Sequence, residues 1–217
     1  MSKIRGILFD NDGVLAHTEA TWFETFYDLM GELNIPYSRE DFITHTFVED
    51  WGSLGWLERQ GVAPDKVQAF RSRRIEEWQR RTNRRNLIEP SAKSVLTELK
   101  KTCKIGIVTN TDRENFRRIH KQSELDAVLD VIVLRDDYAR GKPAPDGYEA
   151  GLEALALPLS QVIAVEDAPR GIQLAKAAGL AVIGIVNPAF PELDITTADY
   201  QIKRLAELPV LLKEISG

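Results

Sequence analysis

Two aspartates separated by one residue, Asp10 and Asp12, end the first apolar run of the chain and are followed at once by Gly13. Carboxylates two residues apart can share one loop while performing different tasks, and Gly13 lets the backbone turn sharply and approach an anion closely. Asp and Gly also punctuate ordinary turns, so the reading depends on what else the chain supplies. Thr109 and Asn110 close the run at 105–109 with a hydroxyl and an amide suited to phosphate oxygens, although Thr-Asn is also a common way to start a helix. Arg140-Gly141-Lys142-Pro143 sets one lysine in a stiff loop, where a lone lysine is otherwise ordinary solvated surface. Glu166 and Asp167 end another apolar run as adjacent carboxylates. Such a pair can cap the next helix or hold a hard, oxygen-seeking cation.

The elements that must position these residues follow from periodicity. Apolar runs of strand length recur at 4–9, 105–109, 128–134, 162–165 and 181–186. Most are apolar on both faces, as strands covered by helices on two sides should be. Helical patterns fall between them at 90–101, 112–120, 145–156 and 169–178. Pro90 suits a first turn, Asn110-Thr111 can cap the second helix, and Gly179 stops the last. This alternation predicts a doubly wound α/β sheet, and ligands in such sheets bind beyond the carboxyl ends of the strands.

One region breaks the pattern. Trp22, Phe23, Phe26, Tyr27, Met30 and Leu33 repeat at helical spacing, and Val67, Phe70, Ile75 and Trp78 suggest a second helix. Residues 16–86 are expected to form a helical insertion with its own small core, with 1–15 and 87–217 making the sheet domain. Gly52, Gly55 and Gly61 are expected to mark turns inside the insertion.

The chain of 217 residues suffices for one large domain carrying such an insertion. A formal net charge of -5 argues against a broad nucleic-acid surface but not against a small anionic substrate held in a locally positive site. Cys103 is the only cysteine, which excludes a disulfide framework and a thiolate zinc cluster. The first ten residues read as a short strand-like segment, so no secretory signal is expected, and no apolar stretch is long enough to cross a bilayer. A cytoplasmic monomer without nucleic-acid or membrane partners is the expectation.

Together the segments at Asp10–Asp12, Thr109, Lys142 and Glu166–Asp167 resemble the motif set of the haloacid dehalogenase superfamily of phosphohydrolases, in the family's order. The resemblance runs from residue 4 to about 186 and is closest to the subgroup of phosphoglycolate phosphatases and β-phosphoglucomutases. It implies a Rossmann-like core with an α-helical cap inserted after the first motif. It further implies that Asp10 is the nucleophile, Asp12 the general acid/base, Thr109 and Lys142 the phosphate-binding hydroxyl and lysine, and Glu166 and Asp167 metal-binding acids. Mg²⁺ is the implied cofactor, with the backbone carbonyl of Asp12 as a further ligand. The implied reaction is hydrolysis of a small phosphorylated metabolite through an aspartyl-phosphate.

Several residues bear on which member this is. Asp12 argues against a dehalogenase, and the absence of a lysine between Lys3 and Lys66 against a phosphonatase. The alternative is a hexose-phosphate mutase. Thr18 keeps a polar position seen in β-phosphoglucomutases, but Trp22 stands where they carry histidine and His17 where aspartate is common. Ala168 replaces a frequent serine. A vestigial binding module would be expected to lose one motif, and all are intact. Within the cap, Thr18, Trp22, His45, Trp51 and Trp56 are the candidates to face substrate. For the tryptophans the competing reading is packing, and His45, on a polar stretch, is expected to be solvated. The arginine-rich stretch 71–85 reads as a solvated helix face, with a second anion site as the alternative.

Overall fold

The computed structural model describes residues 3–49, 51–140 and 144–215. The chain divides into two compact units, Met1–His17 with Leu87–Gly217, and Thr18–Asn86. In chain order the elements are β1 (Gly6–Phe9), α1 (Glu19–Glu32), α2 (Arg39–Ile43), a π-helical turn (Thr44–Val48), α3 (Gly52–Arg59), α4 (Pro64–Thr82), α5 (Ala92–Leu99), β2 (Lys104–Val108), α6 (Arg113–His120), β3 (Val131–Val133), α7 (Asp146–Leu155), β4 (Val162–Glu166), α8 (Pro169–Ala177), β5 (Ala181–Ile185), β6 (Tyr200–Ile202) and α9 (Leu208–Ile215).

The strands form one sheet in the order β3-β2-β1-β4-β5-β6, and all pairings are parallel. This is an α/β Rossmann-like fold. Its chain order reverses between β1 and β4, the kind of switch point where such sheets bind ligands. The expected two-sided burial is visible residue by residue. Ile7, Phe9, Ile105, Ile107, Ile163 and Val165 pack with Val95, Leu96 and Leu99 of α5 and with Leu208 and Leu212 of α9. The alternate positions Leu8, Val108, Val162, Ala164 and Val182 pack on the other face with Tyr148 and Leu155 of α7 and Ile172 and Ala175 of α8. Each Val, Leu, Ile or Phe among them contributes about 1.5–3 kcal/mol of burial, which fixes the strand ends that carry the acids.

Local chemistry explains where elements start and stop. Helix α6 is capped by Asp112, whose carboxylate accepts from the Asn115 amide at 2.9 Å, so the cap lies beyond the expected Asn110-Thr111 pair. The run at 128–134 forms strand only at β3. Asp130 takes up both polar groups of Ile105, donating its amide to the carbonyl at 2.7 Å and accepting the Ile105 amide at 2.8 Å on its side chain. Gly179 ends α8 with φ +84°, a conformation L side chains rarely adopt. Strand β6 and helix α9 lie beyond the last expected element.

The unit Thr18–Asn86 is held by aromatics. Trp22 stacks on Trp78 at 4.6 Å with an 11° interplanar angle, and Trp56 packs edge-on to Tyr37 at 5.1 Å. Trp51 carries the Arg59 guanidinium over its ring at 3.8 Å. Gly55 lies inside α3 and not at a turn; a Cβ there would lie 2.9 Å from that of Trp51. His45 is buried, not solvated. The π-helical turn directs it among Phe26, Phe42 and Trp56, where Nε2 meets the Tyr37 hydroxyl at 2.5 Å. Burial pushes its pKa down to about 4. Along 71–85, Arg73, Arg80, Arg81 and Arg85 pair with Glu32, Glu77, Asp28 and Glu24. No helix among the described residues is long and apolar enough to cross a membrane.

Candidate active site

Asp10 follows β1 directly, and its amide donates to the Val165 carbonyl of neighbouring β4 at 2.9 Å. Parallel pairing of Phe9 with Val165 therefore sets Asp10 beside Glu166, the last residue of β4, and Asp167. The three carboxylates are buried, and one ligand oxygen from each lies within 4.8 Å of the others. Three like charges at this spacing repel one another. An oxygen-only set of carboxylates suits a hard divalent cation, which relieves that repulsion. The donors present fit such an ion.

Neighbouring residues hold the cluster from behind. Tyr148 of α7, wholly buried, donates its hydroxyl to Glu166 Oε1 at 2.5 Å. Burial first, then the charges of Glu166, Asp10 and Asp167, raise the phenol pKa far above its ordinary value, so Tyr148 remains a donor. Asn187, after β5, donates Nδ2 to Asp167 Oδ2 at 2.6 Å, while its Oδ1 accepts from the amides of Ala189 and Phe190. Two glycines leave room for the acids. At Gly171 a Cβ would lie 2.1 Å from Glu166 Oε2, and at Gly13 2.0 Å from Asp167 Oδ2.

Asp12 is half-buried at the other side of the loop. Its Oδ2 accepts from Thr109 Oγ1 at 3.1 Å, Thr111 Oγ1 at 2.7 Å and Asn11 Nδ2 at 3.3 Å. Thr109 belongs here because β2 is the other neighbour of β1, with Ile107 opposite Phe9. Gly13 turns the loop with φ +82°, and the Asn11 carbonyl accepts from the amides of Leu15 and Ala16, both at 2.9 Å.

The remaining sequence candidates are placed as follows. Asn110 is exposed and accepts the Tyr138 hydroxyl at 2.6 Å. Thr18 is wholly buried at the head of α1 in the helical unit. Lys142 lies outside the described residues. Sequence reasoning missed Tyr148, Asn187, Thr111 and His120. Only Thr111 carried a readable signal, a second hydroxyl two positions after Thr109.

The chain is 29% identical to validoxylamine A 7'-phosphate phosphatase of Streptomyces hygroscopicus subsp. limoneus, over 96% of this chain and 93% of that protein. It is 29% identical to a phosphorylated carbohydrates phosphatase of Thermotoga maritima, over 85% and 86%. The crystal structure of CbbY from Rhodobacter sphaeroides in complex with phosphate matches with a TM-score of 0.76 at 25% identity, over 94% of this chain and 96% of that one. The family model for haloacid dehalogenase-like hydrolases matches residues 7–185, which spans the loop after β1, the inserted helices and the acids after β4, and the chain belongs to that family.

Proposed function

We propose that this protein is a Mg²⁺-dependent phosphatase that hydrolyses a small phosphorylated metabolite through an aspartyl-phosphate on Asp10. The observation that carries the reading is the convergence of buried Asp10, Glu166 and Asp167 within 4.8 Å, beside a half-buried Asp12 held by hydroxyls. Phosphorylated carbohydrates are the favoured substrate class, because one similar phosphatase is named for them and another for validoxylamine A 7'-phosphate.

In this reading Asp10 attacks phosphorus and takes the phosphoryl group. Asp12 gives a proton to the departing alkoxide, then takes one from the water that cleaves the acyl phosphate. Thr109 and the amides around Gly13 bond the phosphoryl oxygens, and Lys142 adds a fixed positive charge. Asn110 and Thr18 are assigned substrate contacts on the family pattern. Glu166 and Asp167, with Asp10 and the Asp12 carbonyl, would hold Mg²⁺. Bound there, the ion supplies charge neutralisation that lets a carboxylate approach an anionic ester. Substrate choice is assigned to the helical unit 18–86, inserted directly after the nucleophile loop.

The test is release of inorganic phosphate from a panel of sugar phosphates and pyrophosphate, with Mg²⁺ and with chelator. The expected result is Mg²⁺-dependent release that Asp10→Asn lowers by at least about 10³-fold. Formation of an isomeric sugar phosphate without free phosphate reassigns the protein as a mutase. Turnover by Asp10→Asn at the wild-type rate ends the reading.

A further inference from the structure

Behind Asp12 lies a hydrogen-bonded chain whose central link joins residues 109 positions apart in the sequence. Asn11 is wholly buried, and its Oδ1 meets His120 Nε2 at 2.7 Å, while its Nδ2 faces Asp12 Oδ2 at 3.3 Å. His120, at the end of α6, is buried as well; its Nδ1 meets Ser123 Oγ at 3.2 Å. Ser123 Oγ in turn accepts the Leu125 amide at 3.2 Å.

The directions of these bonds are fixed by chemistry. A carboxylate oxygen only accepts, so the Asn11 amide must turn its NH₂ to Asp12 and its carbonyl to His120. His120 Nε2 must then carry the proton, and Nδ1 must accept from the Ser123 hydroxyl. Phe116 stacks on the imidazole at 4.2 Å and fixes the ring plane. Burial lowers the His120 pKa to about 4, opposed in part by Asp12 and Asp126, which matches the single neutral tautomer the bonds demand.

We propose that Asn11 and His120 are positioning residues for Asp12: His120 locks the Asn11 amide, which joins Thr109 and Thr111 in donating to Asp12 Oδ2 and so holds the carboxyl in one rotation. The proposal rests on the assignment of Asp12 as general acid. A donor set on one oxygen defines the carboxyl's rotation. In an ordinary turn the residue between two aspartates has no need to be polar or to reach α6.

The test compares kcat/KM for a sugar phosphate with that for 4-nitrophenyl phosphate, both with Mg²⁺. This constant covers the steps through phosphoryl transfer to Asp10. An alkoxide leaves only with a proton, whereas 4-nitrophenolate leaves without one, so a misplaced acid penalises the sugar phosphate selectively. Asn11→Leu, His120→Leu and the double variant are expected to lower kcat/KM for the sugar phosphate about tenfold or more. The value for 4-nitrophenyl phosphate should stay within about threefold. The double variant replaces both partners of the Asn11–His120 bond by apolar groups, so neither half of that bond is left behind, and only the Ser123 hydroxyl loses its acceptor. His120→Gln keeps an N–H at the Nε2 position and is expected to restore most of the loss. Equal losses on both esters, or no loss on either, across these variants overturn the proposal. If Asp12→Ala itself shows no selective loss, the acid assignment fails instead, and the two failures are thereby distinguished.

Discussion

Gly13 and Asp167 meet where a methyl group has no room: a Cβ on residue 13 would lie 2.0 Å from Asp167 Oδ2 and 2.7 Å from Asn187 Nδ2. The backbone of the first loop thus touches the acid that ends the β4 segment, and Asn187 closes the contact from β5 at 2.6 Å. Three strand ends are welded by one missing side chain.

Gly13→Ala is accordingly expected to do double harm. The backbone at φ +82° is strained for any L side chain, at a cost of about 1–3 kcal/mol. The new methyl must also displace Asp167, and disturbing the shell of a metal site weakens ion affinity by about 10–100-fold. Isothermal titration with Mg²⁺ and a thermal melt read the two effects separately. An alanine variant with wild-type Mg²⁺ affinity contradicts the placement of Asp167 in an ion site.

The Tyr148 hydroxyl supports Glu166 from α7, and Tyr148→Phe removes that donor while keeping the ring. A buried bond to a carboxylate contributes about 1.5–3 kcal/mol, so chelator-treated protein should lose stability of that size in a denaturant titration. With Mg²⁺ the variant should bind the ion more weakly, by about tenfold. Unchanged stability and unchanged ion binding together would show that Glu166 does not depend on the phenol.

Much of this arrangement was readable before any coordinates, for a physical reason. Strands buried on both faces must be continuous apolar runs, so β1, β2, β4 and β5 announce themselves, and Asp10, Thr109 and Glu166 stand at their ends. What stayed hidden comes from contacts across the sheet. Tyr148 looks like any apolar position of a helix until α7 is laid over Glu166. Asn187 sits in a loop whose path periodicity does not encode. His45 misleads because the π-helical turn inserts an extra residue, turning a locally polar stretch inward. Strand β6 has three residues, with only Ile202 of them buried, too little for an alternating pattern. Asn11, between the two aspartates, carries no diagnostic signal in the sequence until His120 arrives from α6.

His45 and His120 make stability depend on pH. Both are buried with pKa values pushed down to about 4 from 6.5, chiefly by burial. Between pH 6.5 and 4 the unfolded chain binds protons that the folded chain refuses. Their contribution is therefore intact above pH 6.5 and is lost as the pH falls toward 4. By pH 5 each histidine withdraws about 2 kcal/mol, enough to lower Tm by about 10 °C for the pair in a chain of this size. Calorimetry of the wild type, His45→Gln and His120→Gln at pH 7 and pH 5 checks this. Each variant should show a smaller fall than the wild type, and identical falls in all three proteins would refute the neutral buried state.

The acids themselves set a trade between ion binding and intrinsic stability. Without a divalent cation, Asp10, Glu166 and Asp167 hold like charges within 4.8 Å in a buried site. Asp10→Asn removes one charge at nearly constant volume, so in chelator the variant should melt above the wild type, by about 1 kcal/mol or more of added stability. Mg²⁺ reverses the order. An ion at 100 times its Kd adds about 2.7 kcal/mol to the state that binds it, and the intact cluster binds it better than the neutralised one. Scanning calorimetry in chelator and in saturating Mg²⁺ should therefore show the two melting curves crossing over. If Mg²⁺ moves both proteins equally and chelator leaves them alike, the three carboxylates do not act as one cation site, because the repulsion that makes them costly alone is the same property that makes them select a divalent ion.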